Sequence, residues 1–133
     1  MVVALAGRRI DNKETDTPSF PLSNAAKVKV KIASVLKYLR AGTLICSGAN
    51  GADLLALEAA AELKMARYMI LPFEPNHFKR LSVTDRPGDW EKIFDRVYEG
   101  LIYENGTIVL GFDAEDKLAF KRQTWQYWIR QTG

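Results

Sequence analysis

The sequence predicts an α/β protein: a three-layer, Rossmann-like parallel sheet of at least four strands, with helices on both faces. Four short apolar runs alternate with four helical segments along the chain. The runs are apolar at nearly every position, which is typical of strands buried on both faces of a parallel sheet. The segments between them are long enough for the helical crossovers that parallel strands require.

Length and composition indicate one globular domain. The 133 residues are expected to form a single domain, residues 1–133, around one core. The net charge of +3 permits an anionic ligand, but the basic residues are scattered, so we expect no nucleic-acid partner. Cys46 is the one cysteine, expected as a buried strand thiol with a reactive thiol as the alternative, and it excludes an internal disulfide.

No signal peptide or membrane-spanning apolar run is visible in the sequence. The pattern therefore predicts a cytoplasmic protein without a membrane partner. We also expect no metal and no cofactor, since a lone cysteine and a lone histidine do not make a zinc site.

The elements are predicted in strand–helix pairs. The strands are expected at residues 2–6, 43–46, 68–71 and 107–110. The first helix is expected between Ser23, as its N-cap, and Gly42, with a buried stripe of Ala26, Val30, Ala33, Leu36 and Leu39. The later helices are expected at about residues 52–64, 89–98 and 114–130. Residues 11–20 and 73–88 are predicted to be loops, long enough to cover a ligand.

The turn after the second strand is the candidate binding site. Residues 47–53 read Ser-Gly-Ala-Asn-Gly-Ala-Asp and lead into an alanine-rich helix. Gly48 and Gly51 would let the backbone approach a ligand, and the first helical N–H groups lack intrahelical partners. Ser47 and Asn50 add polar groups at the mouth of the turn. This pattern favours a cradle for a phosphate group, with a tight structural turn as the alternative.

Charged side chains accompany this turn. Arg8 directly follows the first strand and is interpreted as the countercharge of a phosphate, with a surface salt bridge as the alternative. Arg9 is expected at the surface. Asp53, in the first helical turn, is expected to interact favourably with the helix dipole, to accept a hydrogen bond from a ribose hydroxyl, or to clamp the loop. His77 has no positioned Ser or Cys partner and is not predicted to be catalytic.

Four segments carry a family resemblance. They are residues 4–9 (Ala-Leu-Ala-Gly-Arg-Arg), residues 47–60 beginning at the glycine turn, residues 70–73 (Ile-Leu-Pro-Phe), and residues 78–95 with Phe78, Ser82, Trp90 and Phe94 at matching spacing. In this order they resemble the SLOG superfamily, which includes the Lonely-guy phosphoribohydrolases and DNA-processing protein A. The last segment resembles a stand-alone subgroup found beside signalling or defence domains.

The resemblance implies a Rossmann-like domain that binds nucleotide-derived molecules. It maps onto the ligand pocket Gly7, Arg8, Ser47, Gly48, Asn50, Gly51 and Asp53, and onto the adjacent loop Phe73 and Ser82. The favoured function is binding or sensing of a nucleotide-derived, phosphate-bearing ligand at the turn of residues 48–51. The alternatives are hydrolysis of the N-glycosidic bond of a nucleoside 5′-monophosphate and, less favoured, DNA binding.

Two departures from the family concern catalysis and length. The phosphoribohydrolase branch has a second motif, Pro-Gly-Gly-x-Gly-Thr with a catalytic glutamate, where residues 110–116 of this chain read Leu-Gly-Phe-Asp-Ala-Glu-Asp. No catalytic residue is therefore assigned. The chain also ends at Gly133 where related domains continue to a further strand, which indicates a shortened domain or a fragment. Trp125 and Trp128 on the last helix are expected to pack on the sheet, with a homo-oligomer interface as the alternative.

Overall fold

The computed structural model of the protein describes residues 1–112 and contains a four-stranded parallel sheet there. The elements in chain order are β1 (Val2–Ala4), α1 (Ala25–Tyr38), β2 (Thr43–Cys46), α2 (Ala52–Glu62), β3 (Ala66–Leu71), α3 (Pro75–Ser82), α4 (Trp90–Tyr103) and β4 (Thr107–Val109). The predicted α/β class with parallel strands is confirmed. The predicted last helix, with Trp125 and Trp128, lies outside the described residues.

Each described strand pairs with the next strand along the chain. The sheet order is β1-β2-β3-β4, and Val3 lies beside Leu44, Ile45 beside Tyr68, and Leu71 beside Val109. The order does not reverse among these strands. Their carboxyl ends therefore form a row rather than the divided crevice of a doubly wound sheet.

The described helices pack on one face of the sheet. Because side chains alternate along a strand, that face is formed by Leu44, Cys46, Met69 and Leu71. They share a buried cluster with Leu36 of α1, the leucines of α2 and Phe94 of α4. This is what right-handed crossovers produce when strands follow one another in sequence order. A helical layer on the opposite face, which the three-layer prediction requires, is not among residues 1–112.

Helix α2 is the centre of this helical layer. It contacts α1, α4, β2 and β3, and its residues 52–57, 59 and 60 are buried. Because these elements surround α2 on several sides, almost its whole surface is apolar. Its small alanines let the neighbouring elements approach closely. The site at the start of α2 is thereby anchored in the core.

The predicted start of α1 is wrong, and its predicted stripe is right at Leu36 but wrong at Val30. Ser23 does not cap α1, because it lies in a short 3₁₀ turn, Leu22–Asn24, that precedes the helix. Val30 is 67% exposed, while Leu36 is buried and Val28 and Ile32 pack against the core. The stripe with Val28 and Ile32 and the stripe with Val30 both have helical spacing, but they face different directions. The stripe with more large side chains faces the core, because it buries more apolar area.

The long loop predicted after β3 contains a helix, α3. The Glu74 side chain accepts hydrogen bonds from the N–H groups of Asn76 and His77, and Pro75 occupies the first turn. Glutamate is not among the preferred N-cap residues, so the sequence signal is weak.

Helix α4 also extends five residues beyond the predicted residue 98, and β1 ends two residues before the predicted residue 6. None of the described helices has both the length and the apolar character needed to cross a bilayer.

Candidate functional site

Three segments meet at the carboxyl ends of β1 and β2. They are the loop after β1, the turn between β2 and α2, and the segment that joins α3 to α4. The N–H of Ala52 donates to the Arg8 carbonyl oxygen at 3.0 Å, and the N–H of Asn50 donates to the Ser82 carbonyl oxygen at 2.9 Å. The glycine turn is therefore held between the other two segments by its own backbone.

The Asn50 side chain joins all three segments. It is 1% exposed, and its Oδ1 accepts a hydrogen bond from the N–H of Ile10 at 3.1 Å. Its Nδ2 lies within 3.1 Å of the carbonyl oxygens of Ser82 and Val83 and within 3.0 Å of Asp85 Oδ1. The amide was predicted to face a ligand, and the structure places it inside a protein network.

An ion-pair cluster continues this network. Asp85 Oδ2 lies 2.6 Å from Arg9 Nη1 and 2.8 Å from Arg86 Nη1, and Arg86 Nε donates to the Ile10 carbonyl oxygen at 3.1 Å. We call Asn50, Asp85, Arg9 and Arg86 together the Asn50 clasp. Arg9, which was expected at the surface, has a side chain that is 35% exposed and forms an ion pair in this cluster.

The clasp residues Asp85 and Arg86 were missed by the sequence analysis. They lie next to Pro87 and Gly88 in a segment that reads as an ordinary turn. Adjacent opposite charges before such a turn are the one available signal. The partners that give them a role are about 75 residues away in the chain.

The predicted site glycines lie where neighbouring atoms leave no room for a side chain. A Cβ on Gly51, whose φ is +91°, would lie 2.6 Å from the Arg8 carbonyl oxygen. A Cβ on Gly48 would lie 2.8 Å from Met69 Sδ, and one on Gly7 would lie 2.4 Å from Ala52 Cβ. These contacts account for the glycines by close packing. Their role as a phosphate cradle stays a prediction.

Ser47 and Asp53 are buried polar residues with unused hydrogen-bonding capacity. They are 5% and 7% exposed, and neither Ser47 Oγ nor Asp53 Oδ1 has a hydrogen-bond partner among the described residues. Asp53 Oδ1 lies 3.3 Å from the position that a Cβ on Gly7 would occupy. A buried polar atom without a partner costs free energy, so such atoms are rare unless something else satisfies them.

Burial changes the acidity of this part of the site. It raises the pKa of the Asp53 carboxyl from 3.8 to about 7, although the N–H groups of Gly7 and Ala49 face the carboxyl and act in the opposite direction. Those two groups do not complete a hydrogen bond to Oδ1. Burial, and secondarily the nearby Asp53 carboxylate, raises the pKa of the Cys46 thiol. Cys46 is therefore a buried, protonated strand thiol, as predicted.

Arg8 is the exposed cation of the site. Its side chain makes no hydrogen bond or ion pair with the rest of residues 1–112, which removes the salt-bridge alternative within that part of the chain. It lines a pocket of about 400 Å³ formed mainly by the loop after β1. Of the predicted site residues, Arg8 alone is in the lining of this pocket.

The residues predicted on the neighbouring segment point inward. Phe73 is 4% exposed and lies 5.2 Å from the His77 ring and 6.1 Å from the Phe78 ring, measured between centroids. Ser82 is 3% exposed. The structure thus brings Gly7 and Asp53 together and places the Arg8 backbone against the start of α2, whereas Phe73 and Ser82 are buried before and at the end of α3. Residues 1–112 contain no group of three His, Cys, Asp or Glu side chains that could hold a metal ion.

Comparison of the chain with protein-family models, curated proteins and solved structures gave no match. The SLOG resemblance therefore stays a prediction based on the residues quoted above.

Proposed function

We propose that the protein binds a nucleotide-derived, phosphate-bearing ligand at the carboxyl ends of β1 and β2, beside the turn of residues 48–51. The observation that carries this proposal is the pair of buried, unpartnered polar atoms, Ser47 Oγ and Asp53 Oδ1. Ser47 follows β2 and Asp53 lies in the first turn of α2, at the two ends of that turn, and the backbone of Arg8 contacts the turn through the hydrogen bond from the N–H of Ala52.

The chemistry of these groups fits a sugar phosphate. A ribose hydroxyl can donate to a carboxylate and accept from or donate to a serine hydroxyl. Relief of an unsatisfied buried acceptor is worth about 1–3 kcal/mol. An exposed guanidinium can bind a phosphate through two parallel hydrogen bonds. Ser47, Asp53 and Arg8 together thus offer partners for the two polar parts of a nucleotide.

A thermal-shift screen tests this function. Adenosine 5′-monophosphate, adenosine 5′-diphosphate, cyclic adenosine monophosphate, NAD and ribose 5-phosphate form the panel, with adenosine as the control that lacks phosphate. A specific ligand stabilises the fold by mass action, and about 3 kcal/mol is gained at 100 times the Kd. We expect at least one phosphorylated compound to raise the Tm and adenosine to have a smaller effect.

Titration calorimetry of variants then tests the residues. Arg8→Ala should weaken binding of the best ligand by about tenfold or more, because it removes a charge-assisted contact. Lys31→Ala is the matched control, because Lys31 is an exposed cation on α1 that makes no ion pair with the described residues. If no phosphorylated compound binds, or if Arg8→Ala binds as wild type does, the proposal is wrong.

Hydrolysis of an N-glycosidic bond is a second candidate, and Asp53 is the observation that favours it. A carboxyl with a pKa of about 7 can donate and accept protons at neutral pH. Incubation with nucleoside 5′-monophosphates followed by detection of free base tests this activity. Turnover that is lost in Asp53→Asn would support hydrolysis, and the absence of free base would leave binding as the function.

A further inference from the structure

The loop after β1 forms a pocket whose walls are rich in guanidinium groups. The pocket of about 400 Å³ is lined by three arginines, Arg8, Arg9 and Arg86, and by the polar side chains of Asn12, Thr15 and Thr17. Building on the proposed function, we propose that this pocket, and not the backbone of the glycine turn, binds the phosphoryl end of the ligand. The ligand class is a phosphomonoester of a sugar or nucleoside.

Part of the hydrogen-bonding capacity of the glycine turn is already used within the protein. The N–H groups of Asn50 and Ala52 already donate to the Ser82 and Arg8 carbonyl oxygens. The N–H groups of Gly7 and Ala49 face the Asp53 carboxyl. The Asp53 carboxyl therefore competes with a turn-bound phosphate for these N–H groups, and in its ionised form it would also repel the phosphate.

The pocket, by contrast, keeps unused cationic donors. Arg8 is exposed and has no ion-pair partner among residues 1–112. Arg9 and Arg86 both use Nη1 to bind Asp85, and neither Nη2 forms a hydrogen bond within the described residues. One carboxylate thus orients two guanidinium groups without using all their N–H groups. Arginine is suited to this role because its fork of donors matches the oxygens of a phosphoryl group.

One oxygen of the Asp11 carboxylate in the pocket wall is engaged by backbone N–H groups. Asp11 Oδ2 accepts hydrogen bonds from the N–H groups of Ser19 and Phe20, at 2.8 and 2.9 Å, and the Asp11 N–H donates to the Phe20 carbonyl oxygen. These bonds close residues 11–20 into a loop with its ends tied together. The pocket is therefore preformed by the backbone, which lowers the entropic cost of ordering it around a ligand.

The size and lining of the pocket restrict the ligand. A volume of about 400 Å³ is within the range of small-molecule pockets. The lining contains no aromatic side chain on which a base could stack. The pocket thus suits the phosphorylated sugar, with the sugar leading toward Ser47 and Asp53 and the base outside the pocket.

The test compares Thr17→Glu with Thr17→Gln. Thr17 is exposed, lines the pocket and forms no hydrogen bond with the described residues, so neither variant should unfold the protein. The two side chains have the same shape, and only glutamate adds a negative charge to the pocket wall. Titration calorimetry with adenosine 5′-monophosphate, ribose 5-phosphate, inorganic phosphate and adenosine measures the effect.

We expect Thr17→Glu to weaken binding of adenosine 5′-monophosphate and ribose 5-phosphate about tenfold relative to Thr17→Gln, because like charges repel at short range. Equal affinities in the two variants would overturn the pocket assignment and leave the proposed function intact. If no nucleotide binds but ribose 5-phosphate or inorganic phosphate binds and is lost in Thr17→Glu, the pocket assignment stands and the nucleotide function fails. If none of the three phosphorylated compounds binds, the pocket assignment fails, and the nucleotide function fails with it only if the other nucleotides of the thermal-shift panel do not bind either.

Discussion

Replacement of Asn50 should remove hydrogen bonds that join the three segments of the site and so lower the free energy of unfolding. In Asn50→Ala, the buried N–H of Ile10 loses its acceptor, and the Val83 carbonyl oxygen and Asp85 Oδ1 lose a donor. The Ser82 carbonyl oxygen keeps the hydrogen bond from the backbone N–H of residue 50. One unsatisfied buried N–H costs about 1–3 kcal/mol, and each lost hydrogen bond about 0.5–1.5 kcal/mol. The expected loss of unfolding free energy is therefore about 2–6 kcal/mol.

Urea denaturation, followed by far-UV circular dichroism, measures this loss. Asn76→Ala is the matched control, since Asn76 is exposed and its side chain makes no hydrogen bond with the described residues. We expect the control to change the unfolding free energy by less than about 0.5 kcal/mol. The isosteric variant Asn50→Asp keeps the acceptor for Ile10 but replaces the amide donor by an oxygen that faces Asp85. It should therefore be less stable than Asn50→Ala at neutral pH.

A small effect would refute the argument. If Asn50→Ala lost less than about 1 kcal/mol, the hydrogen bonds of the clasp would not hold the segments together. The Asn50 amide would then be free to take the ligand-binding role that the sequence predicts for it.

Two further predictions concern burial and backbone conformation. Since burial raises the Asp53 pKa from 3.8 to about 7, the folded state holds this proton more tightly than the unfolded state, and stability falls as pH rises from about 4 to 7, by up to about 4 kcal/mol. Asp53→Asn should lack that part of the slope in urea titrations at several pH values, and parallel profiles would contradict the assignment. Gly51→Ala should cost more than about 3 kcal/mol in thermal unfolding, because it combines a φ of +91° with a backbone contact at 2.6 Å. Gly111→Ala, at φ +73° with no atom within 4 Å, should cost about 1 kcal/mol, and equal costs would mean that the Gly51 contact is relaxed.

The strands were predictable because their signal is local. Strand β2 was predicted at residues 43–46 and is observed at Thr43–Cys46. A four-residue apolar run between Gly42 and Ser47 is too short for a helix and fits a buried strand. The stripe of α1 was not predictable in the same way. Two sets of apolar residues share that helix, and only the packing against α2 and the sheet selects the set that contains Val28 and Ile32.

The site depends on contacts that local patterns do not encode. Asn50 in a turn can bind a ligand or another loop with the same amide, and its partners Ser82 and Asp85 lie 32 and 35 residues away. The sequence around Arg9 gives no sign of its ion-pair partner, because Asp85 lies 76 residues further along the chain. Asp53 was recognised as a candidate from its position, but its burial follows from the approach of Gly7, which is visible only in three dimensions.

The order of the strands also bears on how the chain reaches this structure. Each strand of the described sheet pairs with its predecessor, so no strand has to be inserted between two that are already paired. Contacts between neighbours in sequence close small loops and form early, whereas the contacts of Arg9 and Ile10 with Asp85 and Arg86 close a loop of 76 residues. During synthesis the sheet can grow from its amino-terminal strand as the ribosome releases each strand and helix. The clasp, and with it the pocket, can form only after residue 86 has emerged, so a nascent chain would gain its framework before it gains its binding site.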